Sequence, residues 1–294
     1  MTDQRRAVLL ALTAVCFWST VAVAFKLSLR HLAVIELLLL STLFSTLVIG
    51  AILIAQGKFK QVFQCSYQEY RLSLLLGFLN PFLYYLILFE AYELLPAQQA
   101  QPINYTWAIM LAVLSVPLLK QKLTGRQVVS LIGGYLGVVV IATKGDLMQL
   151  EFTEPFGVFL ALLSTVIWAL YWIFNTRESR DPVVGLFVNF VFSLPFIFCY
   201  FIWVTDFRAL PIEGILGAAY IGAFEMGICF VIWLKAMKLT NSTAQISTLI
   251  FLSPFMSLIL ISYFLGETIE VATLLGLVLI VASIIFQNAK TKSA

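Results

Sequence analysis

Residues 75–85 read LLGFLNPFLYY, and residues 220–230 read YIGAFEMGICF. The second stretch repeats the first at an offset of about 145 residues, so that a glycine aligns with a glycine and an amide with a carboxylate. Agreement at several positions at once predicts an internal repeat, in which each half of the chain builds the same structure. The aligned pairs are Gly77 with Gly222, Asn80 with Glu225, Glu90 with Lys235, Ala91 with Ala236 and, in an earlier segment of each half, Trp18 with Trp168.

The composition surrounding these stretches indicates a membrane protein. Of the 294 residues, 61% are hydrophobic and only 11% carry a charge, whereas a soluble domain carries roughly 25% charged residues. A helix that crosses the hydrocarbon core of a bilayer needs about 20 mostly apolar residues. The sequence therefore predicts an all-α integral membrane protein with ten transmembrane helices and no separate globular domain. The predicted spans are approximately 7–25, 32–55, 72–90, 97–118, 127–143, 156–174, 183–204, 212–234, 243–265 and 270–287.

The Lys and Arg residues divide unequally between the two sides of these helices. Of the eighteen, fourteen fall on one set of alternate loops and four on the other. Cytoplasmic loops retain positive charge, so this asymmetry predicts that both termini are cytoplasmic. It also predicts that residues 1–145 and 146–294 form two five-helix repeats of opposite orientation around a central cavity, as in transporters with inverted repeats. The four residues on the outer loops are Lys26, Arg30, Lys144 and Arg208.

Several segments carry a resemblance to a known family. Residues 17–26 read FWSTVAVAFK, residues 264–269 read FLGETI, and Gly276 follows in the last span. With the ten predicted spans, they make nearly the whole chain similar to the EamA-type members of the drug/metabolite transporter superfamily. Residues 103–108, INYTWA, are similar to the Asn-Tyr-Leu-Trp-Pro segment of its aromatic amino-acid exporter branch.

Three features depart from the family pattern. The Leu-Gly-Glu of the second half is replaced in the first half by residues 119–121, LKQ, and Ala108 stands where the exporter branch has proline. An arginine commonly seen in the second span is missing, and Ser41 lies near its place. The resemblance nevertheless implies a transporter in a bacterial inner membrane, with export of a small metabolite as its activity. Amino acids are the substrate that it implies.

Glu225 is the carboxylate that lies nearest the middle of a predicted span. An ionised side chain at the centre of a bilayer costs at least about 2.5 kcal/mol, so a compensating partner is required. One interpretation is a carboxylate that faces the cavity and binds a substrate ammonium or carries a proton. The alternative is a protonated side chain hydrogen-bonded to a neighbouring helix. Asn80 aligns with Glu225, so these two residues are predicted to face the axis that relates the two halves. Tyr84 lies one turn after Asn80, and Pro81 between them loosens the helix.

Aromatic side chains line one face of the sixth span. Trp168 and Tyr171 follow Ser164 at helical spacing, and Trp18 occupies the position in the first span that aligns with Trp168. A facing pair of indoles can enclose an apolar or aromatic substrate, or hold a cation over a ring. Plain packing is the alternative.

Amides and hydroxyls open the fourth and ninth spans. Residues 96–105 read PAQQAQPINY, and residues 241–248 read NSTAQIST. Polar groups at matching depth in both halves suit recognition of the amino and carboxylate groups of a zwitterion. Hydrogen bonds between helices, worth about 0.6 kcal/mol each, are the alternative. The predicted substrate contacts are Gln101, Tyr105, Gln245 and Thr248.

Two ionisable side chains lie near the outer ends of spans. Glu36 is expected to extend to water from the start of the second span. Lys26 is expected to do the same at the end of the first span, or to attract an anionic group at the outer mouth. Both are interpreted as structural.

The sequence therefore predicts a secondary transporter with alternating access, driven by a substrate or proton gradient, because it contains no nucleotide-binding loop. We expect it to act on a small-molecule substrate within the lipid bilayer, with protons as a second partner, as a monomer or homodimer. We expect no nucleic acid, no cofactor and no metal. The alternatives are uptake or exchange of a nucleoside-like compound, and a flippase for a lipid-linked carrier. An enzyme is disfavoured because His31 is the only histidine and lies in an outer loop.

Overall fold

The computed structural model describes residues 3–120, 125–146, 154–175, 178, 180–239, 249–250 and 252–288. Within these ranges all of the regular elements are helical. The first half contains α1 (Asp3–Leu29), α2 (Val34–Ala55), α3 (Tyr67–Gly77), α4 (Tyr84–Leu94), α5 (Ala97–Asn104), α6 (Trp107–Leu119) and α7 (Gly125–Ala142). The second contains α8 (Pro155–Asn175), α9 (Pro182–Val204), α10 (Ile212–Tyr220), α11 (Cys229–Leu239), α12 (Leu252–Leu265) and α13 (Val271–Asn288).

The length and composition of the helices confirm an all-α integral membrane protein. In the described part of the chain, six helices are long and apolar enough to cross a bilayer, and three shorter apolar helices accompany them. The fourth predicted span differs from the prediction, because it divides into α5 and α6 at Tyr105 and Thr106. The six long helices are Asp3–Leu29, Val34–Ala55, Tyr67–Leu94, Pro155–Asn175, Pro182–Val204 and Ile212–Trp233.

Both copies of the aligned stretch interrupt their helix with wide, π-helical turns. The first interruption is Phe78–Leu83, between α3 and α4, and the second is Ile221–Ile228, between α10 and α11. In the first, Pro81 supplies no backbone N–H, and Asn80 adopts an extended conformation (φ −149°, ψ 123°). Such turns are rare in helices and frequent at functional sites. They contain Asn80 and Glu225, the pair that the repeat aligns.

Glycines let helices of one half approach helices of the other. A Cβ atom at Gly77 would lie 2.3 Å from the carbonyl oxygen of Asn189 in α9, and a Cβ atom at Gly222 would lie 2.3 Å from that of Ser41 in α2. These distances are too short for any side chain. Each aligned glycine therefore packs its interrupted helix against the second helix of the opposite half.

A third contact pairs two glycines with each other. A Cβ atom at Gly137 of α7 would lie 2.7 Å from the carbonyl oxygen of Gly276 in α13, and the reverse distance is 2.6 Å. Small residues allow helices in a membrane to pack closely through their backbones. The contacts between the halves thus recur in related pairs, as a repeated fold requires.

Ion pairs connect the loops at both ends of the bundle. At the end that the sequence assigns to the cytoplasm, Lys58 binds Asp181 at 2.7 Å. There Arg180 pairs with Glu178 and donates to the hydroxyl of Ser73 at 2.6 Å. At the opposite end, Arg208 binds Glu36 through two hydrogen bonds.

The expectation that Glu36 extends to water is wrong. Its side chain is 1% exposed, and its oxygens accept hydrogen bonds from Arg208 at 2.8 and 2.6 Å and from the backbone N–H of Ala33 at 2.7 Å. These bonds raise the pKa of the Arg208 guanidinium above its ordinary value, so that the pair stays ionised. Glu36 is structural, as predicted, but the partner that satisfies it is another loop and not solvent.

The close contact at Gly222 gives a test of this packing. In the variant Gly222→Ala, the added methyl group meets a backbone carbonyl that cannot move without shifting α2, so we expect the free energy of unfolding to fall by about 1–3 kcal/mol. Gly125→Ala is the matched control, because no atom lies within 4 Å of a Cβ atom there. Thermal unfolding of both purified variants in detergent measures the difference. Equal midpoints would contradict the packing.

Candidate functional site

Glu225 presents an unsatisfied carboxylate oxygen inside the bundle. Its Oε1 accepts a hydrogen bond from the hydroxyl of Tyr85 at 3.2 Å. Its Oε2 is buried and has no hydrogen-bond partner among the described residues. The wide turn at Ile221–Ile228 places this carboxylate between the two halves of the chain. A buried polar atom without a partner is costly, which indicates a position that a ligand, a proton or water occupies.

A continuous series of aromatic rings begins at Tyr85, the residue that binds this carboxylate. Tyr84 stacks on Trp168 with ring centroids 4.5 Å apart, and Trp168 stacks on Tyr171 at 5.5 Å. Tyr84 also contacts Tyr85, the residue that binds Glu225, at 4.9 Å. The predicted contacts Tyr84, Trp168 and Tyr171 therefore lie together, and Tyr85 connects this group to the carboxylate.

Trp18 approaches the same series from α1. Its ring lies 6.4 Å from Phe230 and 5.2 Å from Trp233, and Phe230 lies 6.0 Å from Trp168. The sequence suggested that Trp18 and Trp168 face each other directly. In the structure Phe230 contacts both indoles, so the three rings form one wall. We call the rings of Tyr84, Tyr85, Trp168, Phe230, Trp18 and Trp233, together with the Glu225 carboxylate, the aromatic cluster.

Asn80 occupies the repeat position of Glu225 and is likewise unsatisfied. Its side chain is fully buried, and neither its Oδ1 nor its Nδ2 has a partner among the described residues. The hydroxyl of Tyr171 lies beside it and beside Asn189 of α9, whose Oδ1 also lacks a partner in that part of the chain. Both aligned positions thus carry buried polar atoms available to a bound molecule.

The polar residues of α5 have different roles. Gln101 is buried, and its Oε1 has no partner within the described ranges. Tyr105 follows the end of α5, and its hydroxyl lies beside Ser253 of α12. Asn104 accepts from Tyr84 at 3.4 Å and donates to Ser164 at 2.9 Å, which fixes the Tyr84 ring beside Trp168.

Gln98 forms hydrogen bonds to another part of the bundle, which is the alternative given above for these amides. Its amide nitrogen donates to the carbonyl of Thr268 at 3.0 Å, and its oxygen accepts from the backbone N–H of Glu270 at 3.0 Å. Beside it, Glu267 accepts from the backbone N–H groups of Ala97 and Gln98 and so caps the N-terminus of α5. The FLGETI segment therefore connects the outer turns of the two halves.

Lys26 is also engaged at the outer end. Its ammonium donates to the carbonyl oxygens of Tyr92 at 2.6 Å and Leu95 at 3.1 Å. These carbonyls end α4 and have no partner inside the helix, so a cation is favourable there. The structure thus gives Lys26 a structural partner.

Two predicted contacts, Gln245 and Thr248, lie outside the described residues. Conversely, Tyr85 and Phe230 were not predicted as site residues, although the structure brings them to Glu225 and Trp168. A signal was present, because the offset that aligns Asn80 with Glu225 also aligns Tyr85 with Phe230.

A groove of about 470 Å³ lies apart from the aromatic cluster, between α1, α10 and α12. Its walls are mostly apolar, and the hydroxyls of Thr20 and Tyr220, 2.6 Å apart, line part of it. Glu213 and His31 lie at the end of the groove that the sequence assigns to the outer side of the membrane. We call this the outer groove.

Three curated relatives resemble the chain. A protein of Clostridium kluyveri named uncharacterized transporter is 28% identical over 196 residues, and the match spans 62% of each chain. The uncharacterized transporter YvbV of Bacillus subtilis is 26% identical over 83% of this chain and 81% of its own. The aromatic amino acid exporter YddG of Ancylobacter novellus is 26% identical over 87% of both chains.

A solved crystal structure shares the fold. It matches with a TM-score of 0.66 over 96% of both chains, at 21% sequence identity. The model of the EamA-like transporter family matches residues 5–143 and residues 155–289. These two matches cover most of the sequence and include both halves of the aromatic cluster. The chain therefore belongs to the EamA-like transporter family.

Proposed function

We propose that this transporter exports a small aromatic amino compound, the class that includes the aromatic amino acids. One observation carries the proposal: the unsatisfied carboxylate of Glu225 lies within a cluster of aromatic rings between the two halves of the chain. The rings suit an aromatic group and the carboxylate suits an amino group. The aromatic amino acid exporter among the relatives supports the same class.

Alternating access is the mechanism that the repeat supports. We propose that residues 1–145 and 146–294 are two five-helix repeats of opposite orientation, which rock about the cluster between them. The substrate would reach Glu225 and Trp168 from one side and leave to the other. The driving force would be a gradient of the substrate or of protons, and Glu225 is the residue placed to exchange a proton.

The outer groove favours a second function, because a flippase for a lipid-linked carrier requires a lateral opening. The groove supplies such an opening beside α1, and its walls suit acyl or isoprenoid chains. However, among the described residues that line it there is a carboxylate, Glu213, and no Lys or Arg. A lipid phosphate would find no permanently charged partner there. Transport of an aromatic metabolite is therefore the function that we put forward.

The proposed orientation predicts which loops are accessible from outside the cell. In a background without the four native cysteines, a membrane-impermeant maleimide should label Phe207→Cys on intact cells and Phe63→Cys only after lysis. Phe63 lies in the short 3-10 helix Phe59–Gln64 between α2 and α3, and Phe207 lies in the loop between α9 and α10. Both are highly exposed, so the two sites are matched. Labelling of Phe63→Cys on intact cells would contradict cytoplasmic termini.

The role of Trp168 predicts a defect in transport. Loss of its stacking removes about 0.5–1.5 kcal/mol, so Trp168→Ala should raise the KM for tryptophan or tryptamine roughly 2- to 12-fold. Counterflow of the radiolabelled compounds into proteoliposomes measures the change. Trp203→Ala is the control, because that indole is 80% exposed at the end of α9. If the wild type transports neither tryptophan nor tryptamine, the proposed function is wrong.

A further inference from the structure

The aromatic cluster contains one acidic group and one unsatisfied oxygen. Tyr85 supplies a single neutral donor to Oε1 of Glu225, at 3.2 Å, and Oε2 receives none among the described residues. A buried carboxylate that accepts only one hydrogen bond leaves most of its acceptor capacity unused. An ammonium group, with three donors and a positive charge, would satisfy Oε2 and compensate the carboxylate.

The rings around Glu225 favour the same charge. Trp168 is stacked against Tyr84 at 4.5 Å and against Tyr171 at 5.5 Å, so a bound cation reaches one of these faces by taking the place of a neighbouring ring. Cations are attracted to the faces of aromatic rings, most strongly to those of tryptophan and tyrosine. The walls of the cluster therefore add to the preference that the carboxylate sets.

A negatively charged group would find no counter-charge in the cluster. The residues that form the cluster include no Lys, Arg or His, and the basic residue nearest to them along the chain, Lys235 of α11, is exposed. Lys26 of α1 already binds the carbonyls of Tyr92 and Leu95. Residues 240–248, which lie outside the described ranges, contain no Lys, Arg or His in the sequence. Neutral amides such as that of Gln101 remain, and these are weaker partners for a carboxylate than a cation is.

We propose that the site selects a monocationic aromatic amine, whose ammonium binds Oε2 of Glu225 and whose ring lies against Trp168 and Tyr84. A carboxylate on the ligand, as in an amino acid, adds a negative charge that the site does not compensate. The inference rests on the proposed transport function and narrows it, because the zwitterionic amino acid becomes the weaker ligand. In this respect the chain would differ from the aromatic amino acid exporter among its relatives.

Matched indole compounds test the charge without altering the protein. Tryptamine and tryptophan methyl ester carry the ammonium alone, tryptophan adds a carboxylate, and indole-3-propionate has the carboxylate alone. Calorimetry with purified wild type should show that tryptamine and the ester bind at least about tenfold more tightly than tryptophan, because an uncompensated charge in a membrane interior is costly. Indole-3-propionate should not bind.

Variants then locate the carboxylate. Glu225→Gln should weaken binding of tryptamine at least about tenfold and that of tryptophan much less, because the amide retains the shape of the side chain and loses its charge. Glu213→Gln, which removes the carboxylate of the outer groove, should leave both affinities unchanged. If Glu213→Gln abolishes tryptamine binding, the amine occupies the outer groove and the inference is wrong.

The outcomes separate the inference from the proposed function. Tryptophan binding as tightly as tryptamine to the wild type overturns the cation preference, and transport of an aromatic amino compound still stands. Failure of the wild type to bind or transport any of the four compounds overturns both. The wild-type comparison decides the charge preference even if Glu225→Gln does not fold.

Discussion

A polar atom inside a bilayer must be satisfied by the protein, by water or by a bound molecule, and the rest of this structure follows from that constraint. Most polar groups of the bundle obey it within the chain: Glu36 binds Arg208, Gln98 binds the turn after α12, and Lys26 binds the carbonyls that end α4. Several buried side chains do not, among them Glu225, Asn80, Gln101 and Asn189, each with an atom that has no partner among the described residues. Glu225 and Asn80 differ from the others because they occupy aligned positions of the repeat, inside the two wide turns.

The repeat explains why Asn80 and Glu225 occur as a pair. Both halves interrupt their third helix with wide turns, and both pack that interruption through a glycine against the opposite half. The chemistry of the two copies differs, because one presents the amide of Asn80 and the other the carboxylate of Glu225. The ring residues differ as well, since Tyr85 aligns with Phe230 and only Tyr85 can donate a hydrogen bond. The repeat thus holds two positions of different chemistry, an amide in the first half and a carboxyl group in the second.

Much of the fold could be predicted from the sequence, because its determinants are local or cumulative. Twenty-residue apolar spans, alternate positive loops and the aligned glycines each depend only on residue type and spacing. Partners distant in the chain could not be predicted in the same way. Glu36 was expected to reach water because its partner, Arg208, is 172 residues away. The amides of residues 96–105 were treated as one group because composition does not show which of them has a partner on another helix, as Gln98 does.

In the candidate site, too, some residues could be predicted from the sequence and others could not. Glu225 could be predicted because a carboxylate is unusual inside a span, and Trp168 and Tyr84 because of the repeat and helical spacing; the structure brings all three into one cluster. Tyr85 was missed because the wide turn changes which residues of the helix share a face. The division of the fourth span at Tyr105 was missed for a related reason, since composition does not reveal where a helix ends inside the membrane.

The most direct test of the account is a structure of the protein bound to 5-bromotryptamine, with the bromine located by its anomalous scattering. The account predicts one bromine site beside the Trp168 ring, with the ammonium of the ligand at Oε2 of Glu225. A bromine site in the outer groove, or a ligand whose ammonium binds a group other than Glu225, would contradict it.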